Sequence, residues 1–403
     1  MFMPRRIIRF LKNTIVHKMS LPEAQKREHY DPSAYPQGIN IIGHLSADMG
    51  LGQGARLVAR SLIDSSVPIS LVNFKVGNTA TQKDDEFKSI TSNKLVYSIN
   101  IIHINPGQLD LLTLMMKNET WDKRYNIGFW LWELEDFPDE WVKYFDLVDE
   151  IWTPSSFVTN AIKRKTTKTV KTIPYGLTMT KPKSQFQPNA FYGINNDAFV
   201  FLTMFDSNST IERKNPLGAI HAFKKAFLAD DKHVQLVVKI NNAKKTHLKA
   251  IKHAIGDYQN ITILNKNLKR VEVDELINIS DVFVSLHRSE GFGLVIAEAM
   301  HLGKPVIATN YSSNTDFMTD NVSCLVDYSL IELDHNYYMF KKGQKWADPN
   351  LDQASTYMTK LYSNKTYYET ISNAAETYIK SKLSLENAQH AIINRLKEAN
   401  LLN

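Results

Sequence analysis

Cysteine is nearly missing. Cys324 is the only one in 403 residues, which excludes an internal disulfide framework and fits a reducing, cytoplasmic compartment. It stands in an apolar run, so it reads as a buried, inert thiol rather than a nucleophile. Long hydrophobic runs are missing too. None approaches the roughly 20 residues of a membrane-spanning helix, and no secretory signal stands out. No Asp-x-Asp occurs, so a metal held through bound phosphates is not indicated, and no cofactor is expected. The net charge of +6 favours anionic ligands without pointing to nucleic acid. Acids are wanting at the start of the chain, where none precedes Glu23. There Arg5, Arg6, Arg9, Lys12 and Lys18 accompany Ile7, Ile8, Leu11 and Ile15 at helical spacing. Two readings stand for that segment. It docks as a basic amphipathic helix on an anionic membrane surface, or it packs on the body of the protein with its charges in water.

What is present is the composition of a globular protein, 43% hydrophobic and 22% charged. A chain of 403 residues exceeds one ordinary core, so two domains are expected. Short apolar runs alternate with helical patterns throughout, which is α/β order without a solenoid repeat. After a basic segment over 1–37, a first domain is expected over 38–180. Its strands are Ile39 to Gly43, Val67 to Phe74, Leu95 to Asn105 and Tyr125 to Trp132, with a helix over Gly54 to Leu62. Residues 181–190 read as a linker, with two prolines and no periodicity. A second domain over 191–384 opens on the strand Ala198 to Phe205 and a helix through Phe227. Phe340 to Pro349 reads as a loop, and 385–403 as a closing helix.

The stretch Ser285 to Met300 organises the rest. Asp281 to Leu286 has the form of a buried parallel strand. Gly291 and Gly293 then give backbone freedom, and a helix runs from Leu294 until Gly303 and Pro305 stop it. A strand, a glycine loop and a helix N-terminus offer unpaired N–H groups to an anion. Glu290 lies in the loop and Glu298 deeper along the helix. Two carboxylates at different depths beside an anion cradle suit a ligand with hydroxyls on both sides of a phosphate. Taken alone, the stretch also reads as an amphipathic helix with solvated acids. A second glycine loop, Gly50-Leu-Gly-Gln-Gly54, follows the first strand. Its spacing is not the dinucleotide fingerprint.

Glu290, seven residues and then Glu298, with Gly-Phe-Gly-Leu after the first, resembles the signature of retaining GT-B glycosyltransferases, family 4 (group 1) in particular. The resemblance implies two doubly wound Rossmann-like domains facing a central cleft, with the acceptor on the first and the donor on the second. It implies that Glu290 contacts the donor sugar, Glu298 the ribose, and the amides of Phe292, Gly293 and Leu294 the diphosphate. Gly50 and Gly52 match the family's Gly-Leu-Gly loop facing the donor phosphates. His103, ending an apolar run, matches a His that contacts the donor sugar. A lone His is otherwise a hydrogen-bonded structural residue.

Arg213 and Lys214 precede a helix, where they are expected to supply a positive wall for phosphate, with Lys239 a further candidate; each of the three also reads as a solvated surface charge, Lys239 above all. Relatives place an Arg directly after this strand, where Asp206 stands here. Glu133, among Phe129, Trp130, Trp132 and Trp141, is a weak acceptor-side candidate. Those rings read equally as core under a solvated acidic loop. The implied activity moves a hexose from a nucleotide diphosphate sugar to a glycan or lipid-linked acceptor with retention, in polysaccharide or glycoconjugate synthesis. Two other readings remain: an epimerase or hydrolase of the same fold, and a non-catalytic partner subunit.

Overall fold

A computed structural model of the chain describes residues 27–402, apart from 79, 93, 117–119 and 180–186. The basic segment over 1–20 lies outside the described residues, as does most of the expected linker. The chain divides into two compact units. The first comprises residues up to Trp132, Asp136–Gly176 and Leu383–Asn403, the second Glu133–Glu135 and Leu177–Lys382.

The first unit is built on a parallel sheet of strands β1 (Ile39–Gly43), β2 (Ile69–Asn73), β3 (Thr91–Ser92), β4 (Ile99–His103), β5 (Tyr125–Phe129), β6 (Glu150–Thr153) and β7 (Val170–Thr172). Their order is β3-β2-β1-β4-β5-β6-β7, so the winding reverses between β1 and β4. Strands buried on both faces read as continuous apolar runs, as Ile-Asn-Ile-Ile does twice here. The asparagine in each run is no defect. Asn40, Asn100 and Asn126 are register partners on β1, β4 and β5. Asn40 Nδ2 donates to Asn100 Oδ1 at 2.9 Å, and Asn100 Nδ2 to Asn126 Oδ1 at 2.8 Å. This buried, satisfied ladder fixes the register, and Gly43 then pairs with His103 at the carboxyl ends. Helices α1 (Gly50–Ile63), α2 (Leu109–Met116) and α3 (Ser156–Lys163) follow β1, β4 and β6.

The second unit holds β8 (Phe199–Asp206), β9 (Val234–Asn241), β10 (Ile261–Asn265), β11 (Val282–Ser285), β12 (Val306–Thr309) and β13 (Cys324–Val326), ordered β10-β9-β8-β11-β12-β13. The longer helices are α4 (Pro216–Ala226), α5 (Lys245–Ile255), α6 (Arg270–Ile279), α7 (Leu294–His301), α8 (Leu351–Ser363) and α9 (Lys365–Lys382). Phe201 packs against Phe223 and Phe227, ring centroids 5.9 and 5.5 Å away. Phe201 and Phe223 are fully buried, and each such ring contributes roughly 1.5–3 kcal/mol. Cys324 is fully buried in the same core, and burial pushes its thiol up to about 11.

Two parallel, doubly wound sheets are the expected architecture. One expectation fails locally. Lys345–Pro349 is not loop but strand β15, paired antiparallel with β14 (Tyr328–Glu332). The last helix, α10 (Leu385–Glu398), packs on α1 of the first unit. Arg395 seals it there with a 2.5 Å bond to the fully buried Glu150.

Candidate functional site

In an open parallel sheet, ligands collect outside the carboxyl ends of the strands where the winding reverses. In the second unit that place lies between Asp206, ending β8, and Ser285, ending β11. The chain after β8 makes a single helical turn, Ile211–Lys214, and then enters α4 through Asn215. Asn215 sits at φ 48°, a left-handed conformation asparagine tolerates better than most residues. Its side chain accepts from the Gly218 amide at 3.0 Å and donates to the Leu286 carbonyl at 2.8 Å. The Arg288 amide donates to the Arg213 carbonyl at 2.7 Å. These bonds lock the two loops side by side and bring Arg213 and Lys214 to Glu290.

Lys214 Nζ lies 2.5 Å from Glu290 Oε1, and Arg213 Nη1 3.5 Å from Oε2. Arg213 is 4% exposed, and Nη1 also donates to the Ser289 carbonyl at 2.8 Å. Burial alone would raise the Glu290 pKa. Lys214 and Arg213 outweigh it and hold the carboxyl at about 2. Glu290 is therefore an anion at neutral pH, and it carries its own counter-ions.

A third loop, which the sequence reading passed over, grips this one. Thr309 Oγ1 donates to the His287 carbonyl at 2.6 Å. Asn314 Nδ2 is committed to the Thr309 carbonyl at 2.9 Å, so Asn314 Oδ1 accepts from His287 Nε2 at 3.0 Å. Burial lowers the His287 pKa and keeps the ring neutral. The Glu290 amide donates to Ser312 Oγ at 2.8 Å, and Ser313 Oγ donates to the Glu290 carbonyl. Ser312 has φ 73° and ψ −150°, a region essentially reserved for glycine that costs on the order of 1–3 kcal/mol.

Gly293, at φ 83°, opens α7 with no side-chain cap, and Phe292 is buried against Phe317. Leu294 starts the helix, and Glu298 is buried on it, 2.6 Å from Arg270 Nη1. Burial disfavours the Arg270 charge, but Glu298 and Asp274 more than offset it and raise its pKa. Lys239 is 1% exposed, and its ammonium bonds to Asn241 on its own strand. Burial lowers it to about 8, with Asp206 partly compensating. Asp206 serves as a turn cap, accepting from the Asn208 amide at 2.7 Å. Glu133 clusters with this unit, its carboxylate 3.7 Å from Arg213 Nη2 and its carbonyl accepting from the Ser289 hydroxyl. Arg213, Lys214, Glu290 and Glu133 thus meet. Lys239 and Glu298 each have a different partner.

The first unit is arranged differently. Gly50 and Gly52 lie in the first turn of α1, not in a loop before it, because the Gln53 amide already bonds to the Met49 carbonyl. A Cβ on Gly52 would fall 2.3 Å from the Ala47 carbonyl oxygen, whereas one on Gly50 would meet open space. Arg56, unremarked in the sequence, ties the loop down through the Leu45 and Ala47 carbonyls at 2.9 and 3.2 Å. His103 has no exposed surface. Its Nε2 lies 2.7 Å from the Tyr175 hydroxyl, and its ring stacks on Phe129 with centroids 4.8 Å apart. Burial lowers its pKa to about 3. Its described contacts are those of a neutral, packed imidazole. Phe129, Trp130, Trp132 and Trp141 are buried core.

Residues 192–333 match the family model Glycosyl transferases group 1. The matched segment contains Arg213, Lys214, Lys239, Glu290 and Glu298. By sequence, no curated protein matches the chain. Similar solved structures include Anabaena Alr3699/HepE in complex with UDP-glucose, at 12% identity and TM-score 0.63, covering 90% of this chain and 100% of that one. A glycosyltransferase from Rickettsia africae ESF-5 matches at 16% identity and TM-score 0.62, covering 93% and 98%. Sucrose-phosphate synthase from Thermosynechococcus elongatus matches at 13% and 0.63, covering 90% and 99%. At such identities the likeness establishes the fold, the GT-B pairing of two Rossmann-like domains. Among the described residues, no helix is long and apolar enough to cross a membrane. Nor is there a group of three or more His, Cys, Asp or Glu that could hold a metal.

Proposed function

We propose that the chain is a retaining glycosyltransferase, moving a hexose from a nucleotide diphosphate sugar to a glycan or lipid-linked acceptor. The observation that carries this reading is the Arg213–Lys214–Glu290 cluster at the strand ends of the group 1 domain. A bound diphosphate competes with Glu290 for the two cations, and the uncapped first turn of α7 adds N–H groups to the same charge. Released from Lys214, the ionised Glu290 accepts hydroxyl protons of the sugar, while Glu298 takes the ribose. As the bond from the anomeric carbon to the diphosphate oxygen breaks, Arg213 and Lys214 stabilise the developing charge. The acceptor oxygen bonds to the same face of that carbon, and its proton passes to the departing phosphate. No metal enters this scheme. His103, fully buried against Gly54, acts as a positioning residue for α1.

The test is a panel of nucleotide sugars, headed by UDP-glucose because Alr3699/HepE is complexed with it. A donor at 100 times its Kd adds about 2.7 kcal/mol of stability. The reading requires one donor to raise the melting temperature and to yield free nucleotide diphosphate when an acceptor is added. Product release without any acceptor would favour the hydrolase or epimerase reading. Binding without turnover would favour a partner subunit. Membrane docking by residues 1–20 is a separate proposal, and failure of the full chain to bind anionic vesicles at low salt would end it.

A further inference from the structure

Ser312 keeps a backbone conformation that glycine would adopt without strain, at φ 73° and ψ −150°. What glycine lacks is the hydroxyl, and here the hydroxyl has a specific task. Ser312 Oγ receives the Glu290 N–H at 2.8 Å, and the neighbouring Ser313 Oγ donates to the Glu290 carbonyl. Both backbone polar groups of Glu290 are thus held by two consecutive, buried serines. Three residues upstream the same loop fixes His287, through Thr309 and Asn314. The carboxylate end of Glu290 is held separately, by Lys214 and Arg213.

We propose that Ser312 is a positioning residue for Glu290, its hydroxyl fixing the peptide from which the carboxylate reaches the donor. The inference rests on the reading of the site as a nucleotide-sugar site. In that reading a diphosphate draws Lys214 and Arg213 away from the carboxylate. The backbone anchor is then what keeps Glu290 in place during turnover. Loss of the anchor therefore acts on kcat more than on KM.

The experiment compares Ser312→Gly and Ser312→Ala in the full chain, measuring melting temperature, UDP affinity, and kcat and KM with the donor identified by the panel. Both variants lose the hydroxyl, but only the alanine keeps the strain. The expected result is a kcat at least tenfold lower in both, KM for the donor within threefold of wild type, and unchanged UDP affinity. The glycine variant is expected to melt higher than the alanine variant. A glycine variant with wild-type kcat would overturn the proposal. So would a kcat that simply follows melting temperature across the three proteins, which is what a merely structural serine produces. A wild-type chain that neither binds UDP nor turns over any donor removes the site reading and this inference with it. That outcome is recognised before either variant is assayed.

Discussion

The two sheets wind alike, with the reversal between β1 and β4 in one and between β8 and β11 in the other, yet their switch points are filled in opposite ways. The second unit's holds an ionised carboxylate between two cations. The first unit's holds two buried imidazoles, those of His44 and His103, with Gly54 of α1 pressed against the second. His44 bonds through Nε2 to Gln108 Oε1 at 2.8 Å, and a Cβ on Gly54 would lie 2.9 Å from His103 Nε2. The same topology therefore hosts an electrostatic device in one half and a close-packed one in the other. Fold position offers a site, and side chains decide what it does.

The sharpest way to break the comparison is to remove charge from the second unit alone. Glu290→Gln is expected to lower kcat by about 10²–10³. UDP should bind it as well as or better than the wild type, because the carboxylate no longer competes for Lys214. Weakened UDP binding with intact turnover would reverse the assignment. In the first unit, by contrast, shape is what matters. Gly52→Ala, with its Cβ 2.3 Å from the Ala47 oxygen, should cost about 1–3 kcal/mol in denaturant unfolding. Gly50→Ala meets nothing and should stabilise α1 by about 0.4–1 kcal/mol.

Acid acts on His103 and Glu290 in different pH windows. His103, with a folded pKa of about 3 against an ordinary 6.5, refuses a proton that the unfolded chain accepts. Its contribution to stability is complete above pH 6.5 and declines as pH falls toward 3. Glu290, held at about 2 against 4.5, contributes above pH 4.5 and loses that contribution between 4.5 and 2. His287 has the same sign as His103. His103→Gln should therefore flatten, without abolishing, the loss of stability between pH 6.5 and 5, by about 2 kcal/mol. An unchanged slope would show that His103 is not the buried neutral group described. The smallest expected effect concerns metal. With Arg213 and Lys214 supplying the positive charge, turnover should be unaffected by EDTA, and a magnesium-reversible loss would refute the metal-free scheme.

The alternation of strands and helices was legible because strands buried on both faces must be short apolar runs, and β1, β4, β8 and β11 all are. Arg213 and Lys214 were marked in the sequence as a phosphate wall and Glu290 as a sugar contact, but their pairing was not legible, because only the fold brings residues 76 or more apart together. The start of α1 was misjudged because Gly50 and Gly52 look like loop, when Gly52 instead lets the helix touch Ala47. Strand β15 was misread as loop because its partner β14, exposed and without an apolar run, gave no sign of a strand to pair with. Ser312, Ser313 and Asn314 carried no signal beyond a polar cluster after a strand. Their role depends on a positive φ and on partners about 22–27 residues away. Arg270 was equally silent, since only the fold carries it to Glu298.

One measurement bears most directly on the claim that the second unit's cation pair receives a nucleotide diphosphate. It is calorimetric titration of UDP into the wild-type chain and into Lys214→Ala. The account predicts that the variant binds at least tenfold more weakly, a difference of about 1.4 kcal/mol, and that its affinity depends less on salt. Equal affinity and equal salt dependence in the two proteins would contradict it.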